Sequence, residues 1–176
     1  MVGAQGLASI ARSKAVYSAI DPLHVNAHSN LGLLLEKKGD LAGAEAAYLK
    51  GIEIDPRDVS AHYNLGLLLT NKGDLAGAEA AYLKAIEIDP RHVAAHNNLG
   101  VLLKDKGDLA GAEAEHLKAI EINPCHLLAR INLGMLLEDQ GDLAGAEKEF
   151  VRVLEIDPAD ADAKEYLSVV RENMRK

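Results

Sequence analysis

From residue 59 to residue 72 the chain reads VSAHYNLGLLLTNK, with apolar residues at Val59, Leu65, Leu68 and Leu69 and His62 in the same register. Spacings of three and four put these positions on one side of a helix. Gly73 supplies the left-handed residue that ends such a helix, and Asp74 is a good N-cap for the next. The next stretch, LAGAEAAYLKAIEI, carries a second stripe at Leu75, Ala78, Tyr82, Leu83 and Ile86. Asp89 and Pro90 stop it, because the residue before a proline is pushed out of the helical region. With so short a turn between them, the two helices are predicted to be antiparallel neighbours.

The pair is repeated. Pro22, Pro56, Pro90, Pro124 and Pro158 stand 34 residues apart, as do Gly39, Gly73, Gly107 and Gly141. A period of this size predicts a stacked array in which each unit covers its neighbour's apolar face. The phase gives four full repeats, 25–58, 59–92, 93–126 and 127–160. Residues 1–24 keep the ending of a second helix without a first, a half-repeat. Residues 161–176 resemble a first helix with Tyr166, Ser168 and Arg171 where the repeats have Asn, Gly and Leu, the polar outer face of a capping helix. Gly66, Ala78 and Ala85 are small where helices cross, which predicts close backbone approach. For Gly43, Gly77, Gly111 and Gly145, in the first turn of each second helix, close packing against the preceding repeat is expected, or inheritance from one ancestral unit.

The tetratricopeptide signature is a Trp, then Leu-Gly, an aromatic, Ala, a second aromatic and Pro at fixed offsets. Here those sites read His62, Leu65-Gly66, Leu69, Ala78, Tyr82 and Pro90, so the chain resembles a tetratricopeptide-repeat (TPR) protein over nearly its whole length. His28, His62, His96 and Arg130 replace the Trp, and Leu replaces the first aromatic. The resemblance implies an all-α, right-handed α-solenoid whose first helices line a concave surface.

The copies differ unevenly. Repeats one and two differ at Asn26/Ser60, Ser29/Tyr63, Glu36/Thr70, Lys37/Asn71, Gly51/Ala85 and Asp58/His92, four of them on the first helix. Repeats two and three differ on that helix at Ser60/Ala94, Tyr63/Asn97, Leu67/Val101, Thr70/Lys104 and Asn71/Asp105. Glu79, Lys84 and Glu87, on the second helix, recur unchanged in repeats one to three. The candidate peptide-binding residues are therefore Ser29, Tyr63, Asn97 and Ile131; Leu33, Leu67, Val101 and Met135; and Glu36, Lys37, Lys104 and Glu138. Asn30, Asn64, Asn98 and Asn132 join them as an invariant row of poor helix formers whose amides can hold a peptide's C=O and N–H together. Similar asparagine ladders occur in the TPR region of O-GlcNAc transferases; an inter-repeat hydrogen bond or one ancestral Asn copied four times stands beside that reading. From Asn26, Ser29, Glu36 and Lys37 in repeat one to Leu128, Ile131, Met135, Glu138 and Asp139 in repeat four, the face turns from polar to apolar and acidic. A partner is expected to bring bulky apolar groups and a Lys or Arg to repeat four. With only Lys37 and Lys104 as bases, a clamp for a C-terminal carboxylate is not expected.

Composition narrows the classes further. A net charge of −8 disfavours nucleic acid and anionic membrane surfaces. One cysteine, Cys125, fits a reducing compartment, and no run resembles a signal peptide or a membrane span, so a cytoplasmic protein is expected. His24/His28 and His92/His96 have i,i+4 spacing but no third ligand, so they are read as structural, with no metal or cofactor. Cys125 beside His126 and the acids Glu138 and Asp139 lack the rest of a catalytic set; the chain is not expected to be an enzyme. The expected function is a protein-interaction module that binds an extended or amphipathic peptide. The alternatives are a structural scaffold that self-associates weakly through Leu7, Ile10, Val16 and Ile20, or an idealised or excised array with its function elsewhere.

Overall fold

The computed structural model describes residues 25–176, and the predicted N-terminal half-repeat, with His24, lies outside them. Among the described residues there are nine helices and no strand: α1 Val25–Lys37, α2 Leu41–Ile54, α3 Val59–Lys72, α4 Leu75–Ile88, α5 Val93–Asp105, α6 Leu109–Ile122, α7 Leu127–Asp139, α8 Leu143–Ile156 and α9 Ala161–Asn173. The fold is the all-α repeat solenoid that the period predicts. The chain divides into two compact bodies, up to Ile88 and from Asp89 on. In the first, α1 packs on α2, α3 on α4, and α3 also meets α1 and α2. In the second, α5 packs on α6, α7 on α8, α9 on α8, and the first helices α5, α7 and α9 contact one another in turn.

Local chemistry sets the helix ends. Gly73 has φ 78°, and its N–H reaches back to the Leu69 and Thr70 carbonyls, satisfying acceptors the helix leaves over. Asp74 then starts α4 by accepting from the Gly77 N–H at 3.0 Å, and Asp40, Asp108 and Asp142 do the same at α2, α6 and α8. This accounts for the first-turn glycines. A Cβ on Gly43, Gly77, Gly111 or Gly145 would collide with the capping carboxylate three residues earlier in the same repeat. The predicted packing against the preceding repeat is replaced by room for the cap.

Each repeat's core is one ring set into one glycine. Tyr82 and Phe150 are essentially inaccessible, and a Cβ on Gly66 or Gly134 would lie 2.6 Å from the facing ring. The Leu-Gly of the signature is thus a notch that lets a second-helix ring lie against the first-helix backbone. At the C-terminus, Ala163, Leu167 and Val170 of α9 close over Ile131, Phe150 and Val153. Ser168 and Val169 stay exposed, and Arg171 donates to Glu147 of α8 at 2.7 Å.

Candidate peptide-binding face

Four of the predicted residues occupy the ninth position of successive first helices. Leu33 is 43% exposed and Val101 37%, while Leu67 and Met135 are half-buried. On the first helices this position keeps apolar surface in reach of a ligand; on the second helices Leu49, Leu83 and Leu117 are also exposed, at 48–49%, so Leu83 of the predicted stripe is not buried.

The asparagines do part of what was expected of them. Asn30 is exposed, and Asn64, Asn98 and Asn132 are half-buried. The Asn132 Nδ2 donates to Asn97 Oδ1 at 2.9 Å, and Asn97 Nδ2 donates to Asn98 Oδ1 at 3.2 Å. Three amides therefore form a chain from α5 to α7, so the inter-repeat bond is present at Asn132. It uses one of that amide's two N–H groups.

The fifth positions are packed rather than presented. Ser29, Asn97 and Ile131 are all buried, and Ser29 Oγ has no hydrogen-bond partner. Ile131 sits in the core with Phe150, Ala163 and Leu167, because the next first helix closes over it. Tyr63 is half-buried with its ring centroid 6.1 Å from that of Tyr82.

The charged candidates divide similarly. Glu36 accepts a 2.5 Å hydrogen bond from the Tyr48 hydroxyl. Burial pushes the Tyr48 phenol well up, and the Glu36 hydrogen bond and charge add to it. Lys37 is exposed and Glu138 half-buried. Lys104 lies 2.6 Å from Asp139 of α7, which again sets α5 and α7 side by side.

The site left by the missing Trp works as a polar brace. His62 Nε2 donates to the Pro56 carbonyl at 3.1 Å, and His96 Nε2 donates to that of Pro90 at 3.2 Å. Arg130 Nε donates to Pro124 O at 2.9 Å. In the later repeats the same side chain also reaches the second helix. His96 Nδ1 lies 2.6 Å from Glu115, and Arg130 Nη1 donates to Glu149 at 2.5 Å. Repeats one and two have Ala47 and Ala81 in place of these glutamates. The Ala81/Glu115 difference was the available signal, overlooked because it lies off the first helix. The spacing of His92 and His96 has the same kind of explanation: His92 Nδ1 accepts from the Ala95 N–H at 3.1 Å and caps α5, while the His96 nitrogens face Pro90 and Glu115. His126 caps α7 in the same way, and burial lowers its pKa.

Among the described residues, no group of three or more His, Cys, Asp and Glu side chains is placed to hold a metal ion. Cys125 is exposed in the turn before α7, with its N–H bonded to Asn123 Oδ1. An open cavity of about 670 Å³ on α8 is lined by Glu147, Lys148, Arg152 and Glu155, with Arg130 and Glu149. Its charges are largely paired with one another, Arg130 with Glu149 and Arg152 with Glu155. No described helix is long and apolar enough to cross a membrane.

A family model described as TPR repeat matches residues 35–73 and 66–107, and one described as tetratricopeptide repeat matches 93–125 and 128–160. The chain belongs to the tetratricopeptide-repeat family. Such repeats are protein–protein interaction modules and generally non-catalytic. The chain is similar to the crystal structure of MamA, with 26% identity over 85% of this chain and 86% of that one and a TM-score of 0.76. It is similar to YrrB, described as a TPR protein with an unusual peptide-binding site, with 26% identity, 90% and 81% coverage and a TM-score of 0.73. A tetratricopeptide repeat protein from Parabacteroides merdae ATCC 43184 shares the fold at 22% identity, 97% and 68% coverage and a TM-score of 0.80. No curated protein matches the chain in sequence.

Proposed function

We propose that this TPR chain is an interaction module that takes an extended or amphipathic segment of a partner protein along the first-helix faces of its repeats. The observation that carries the reading is the ninth position of the first helices, where Leu33 in one body and Val101 in the other stay over a third exposed. Apolar surface repeated at one register gains most when something covers it. Four of the six differences between repeats one and two fall on the first helix. The peptide-binding site named for the similar YrrB supports the class of ligand. On this reading Asn64, Asn98 and Asn132 contact peptide backbone, as in the asparagine ladders of O-GlcNAc transferases, and Val101 and Met135 contact side chains. The lone cysteine favours a cytoplasmic setting.

A peptide array probed with the full chain, followed by crosslinking and mass spectrometry of the bound pairs, tests the proposal. Crosslinks should fall on α1, α3, α5 and α7, and Val101→Asp should abolish binding. Binding that survives Val101→Asp and Leu67→Asp but is lost with Glu79→Lys or Glu87→Lys would place the partner on the second helices and refute the reading.

A further inference from the structure

In the second body the exposed stripe does not stop at the fourth repeat. Asn98, Val101 and Asp105 on α5 align along the helix axis, as do Leu128, Asn132, Met135 and Asp139 on α7. The equivalent positions of α9 are Asp162, Tyr166, Val169 and Asn173. Helix α9 contacts α7, and Val169, at the register of Val101 and Met135, is 44% exposed. Leu128 at the edge of the stripe is 62% exposed. A helix that served only to end the array would turn polar side chains outward at this position. Instead α9 adds a third apolar residue to the row.

The charges around that row have one sign. Asp105, Asp139, Asp162, Glu165 and Glu172 are exposed and Glu138 is half-buried, whereas Lys104 is the only base at these positions. Lys104 lies against Asp139, and Glu172 is joined to Lys176 at 3.2 Å. The remaining carboxylates give an apolar row with an acidic border, which favours a ligand with cations beside its apolar groups.

Building on the interaction reading above, we propose that α9 is part of the docking face, and that α5, α7 and α9 together take a lysine- or arginine-rich amphipathic peptide. Neighbouring first helices stand roughly 10 Å apart, and an extended chain advances ~3.3 Å per residue, so an apolar side chain at about every third residue would meet Val101, Met135 and Val169 in turn.

The probes follow from that spacing. One synthetic twelve-residue peptide has Leu at every third position and Lys elsewhere; its counterpart replaces every Lys by Glu. Binding is measured by fluorescence anisotropy on the full chain. Three double variants complete the test: Asp105→Lys with Glu165→Lys on the stripe, Glu113→Lys with Glu121→Lys on α6 for equal charge change, and Val101→Ser with Val169→Ser for the row. The expected result is binding of the Lys peptide only. The stripe reversal and the serine pair should each weaken it by about tenfold or more, and the α6 reversal by about twofold or less. Equal loss from both charge reversals would mean diffuse attraction to an acidic protein and would overturn the proposal. Binding of the Glu peptide that depends on Val101 and Val169 would overturn the charge assignment while leaving the interaction face standing. Binding indifferent to the serine pair would remove the row, and α9 with it, from the face, and binding of neither peptide would overturn the partner chemistry. The array and crosslinking test of the broader reading is independent of both probes.

Discussion

His116 occupies the ring site that Tyr48, Tyr82 and Phe150 fill in the other repeats, and it is only 1% exposed. Neither of its ring nitrogens has a hydrogen-bond partner. Burial, with a smaller contribution from the Lys104 charge, lowers its pKa from 6.5 to about 4. Two consequences can be separated. Near neutral pH the ring is uncharged whether folded or not, so the cost is that of burying unpaired polar atoms, about 1–3 kcal/mol. Between pH 6.5 and about 4 the unfolded chain takes up a proton that the native chain excludes, so stability falls as pH falls. At 1.36 kcal/mol per unit this linkage reaches roughly 2 kcal/mol at pH 5 and about 3 kcal/mol once pH 4 is passed. His116→Phe removes both costs, and the notch at Gly134, which already holds Phe150, shows that this ring suits the site. Urea unfolding followed by circular dichroism should show the variant more stable by about 1–3 kcal/mol at pH 7. The advantage should grow by roughly 2 kcal/mol at pH 5. The other histidines are the same in both proteins, so whatever they contribute cancels in the difference. An advantage that stays the same at both pH values would refute the reasoning, because it would mean that the native ring accepts its proton as readily as the unfolded one.

Three further outcomes follow from the packing. His96→Arg should reproduce the Arg130 brace, so that Glu115→Ala costs more in the His96→Arg background than in the parent, by about 1 kcal/mol or more; a double-mutant cycle in urea measures it. Gly134→Ala should destabilise by about 1–3 kcal/mol despite alanine's better helix propensity, because its Cβ would press on Phe150; a higher melting temperature would show that the notch has slack. Ile131→Asp should lower stability by about 3 kcal/mol or more by burying a carboxylate in the α7–α9 core; a variant that melts like the parent and changes only peptide preference would return Ile131 to the face.

Repetition made the helices and their ends legible, since each cap and stop signal appears several times at one offset. Gly73 and Asp74 could be read directly because an αL residue followed by a carboxylate has few other uses. Residues whose role depends on a neighbouring helix were harder to read. Ser29, Asn97 and Ile131 share a helix face with Leu33, Val101 and Met135, and periodicity cannot tell which side of that face the next helix covers. Apart from standing where repeats one and two have alanine, Glu115 and Glu149 carry no signal of their role in the sequence, because their partners, His96 and Arg130, lie nineteen residues earlier on another helix.

The same comparison bears on how the repeats diverged. In repeat three, Ala81/Glu115 and Tyr82/His116 place a brace and an unpaired ring on adjacent residues of α6. Glu115 meets His96, whereas His116 meets nothing that can bond to it, since Lys104 at the position of Glu36 and Thr70 is held by Asp139. Tyr48 and Tyr82 each have an oxygen partner at that position, Glu36 Oε1 and Thr70 Oγ1. A lysine there can only donate, so it offers no acceptor to the neutral ring's N–H, and its positive charge disfavours protonation of the ring. Lys104 therefore links the two parts of the molecule: on the surface it is the one base among acids, and beneath it the core residue is left without a partner. Restoring Thr at 104 together with Tyr at 116 should recover the hydroxyl pair of repeat two while making the binding face more acidic, so stability and cationic-peptide affinity should rise together.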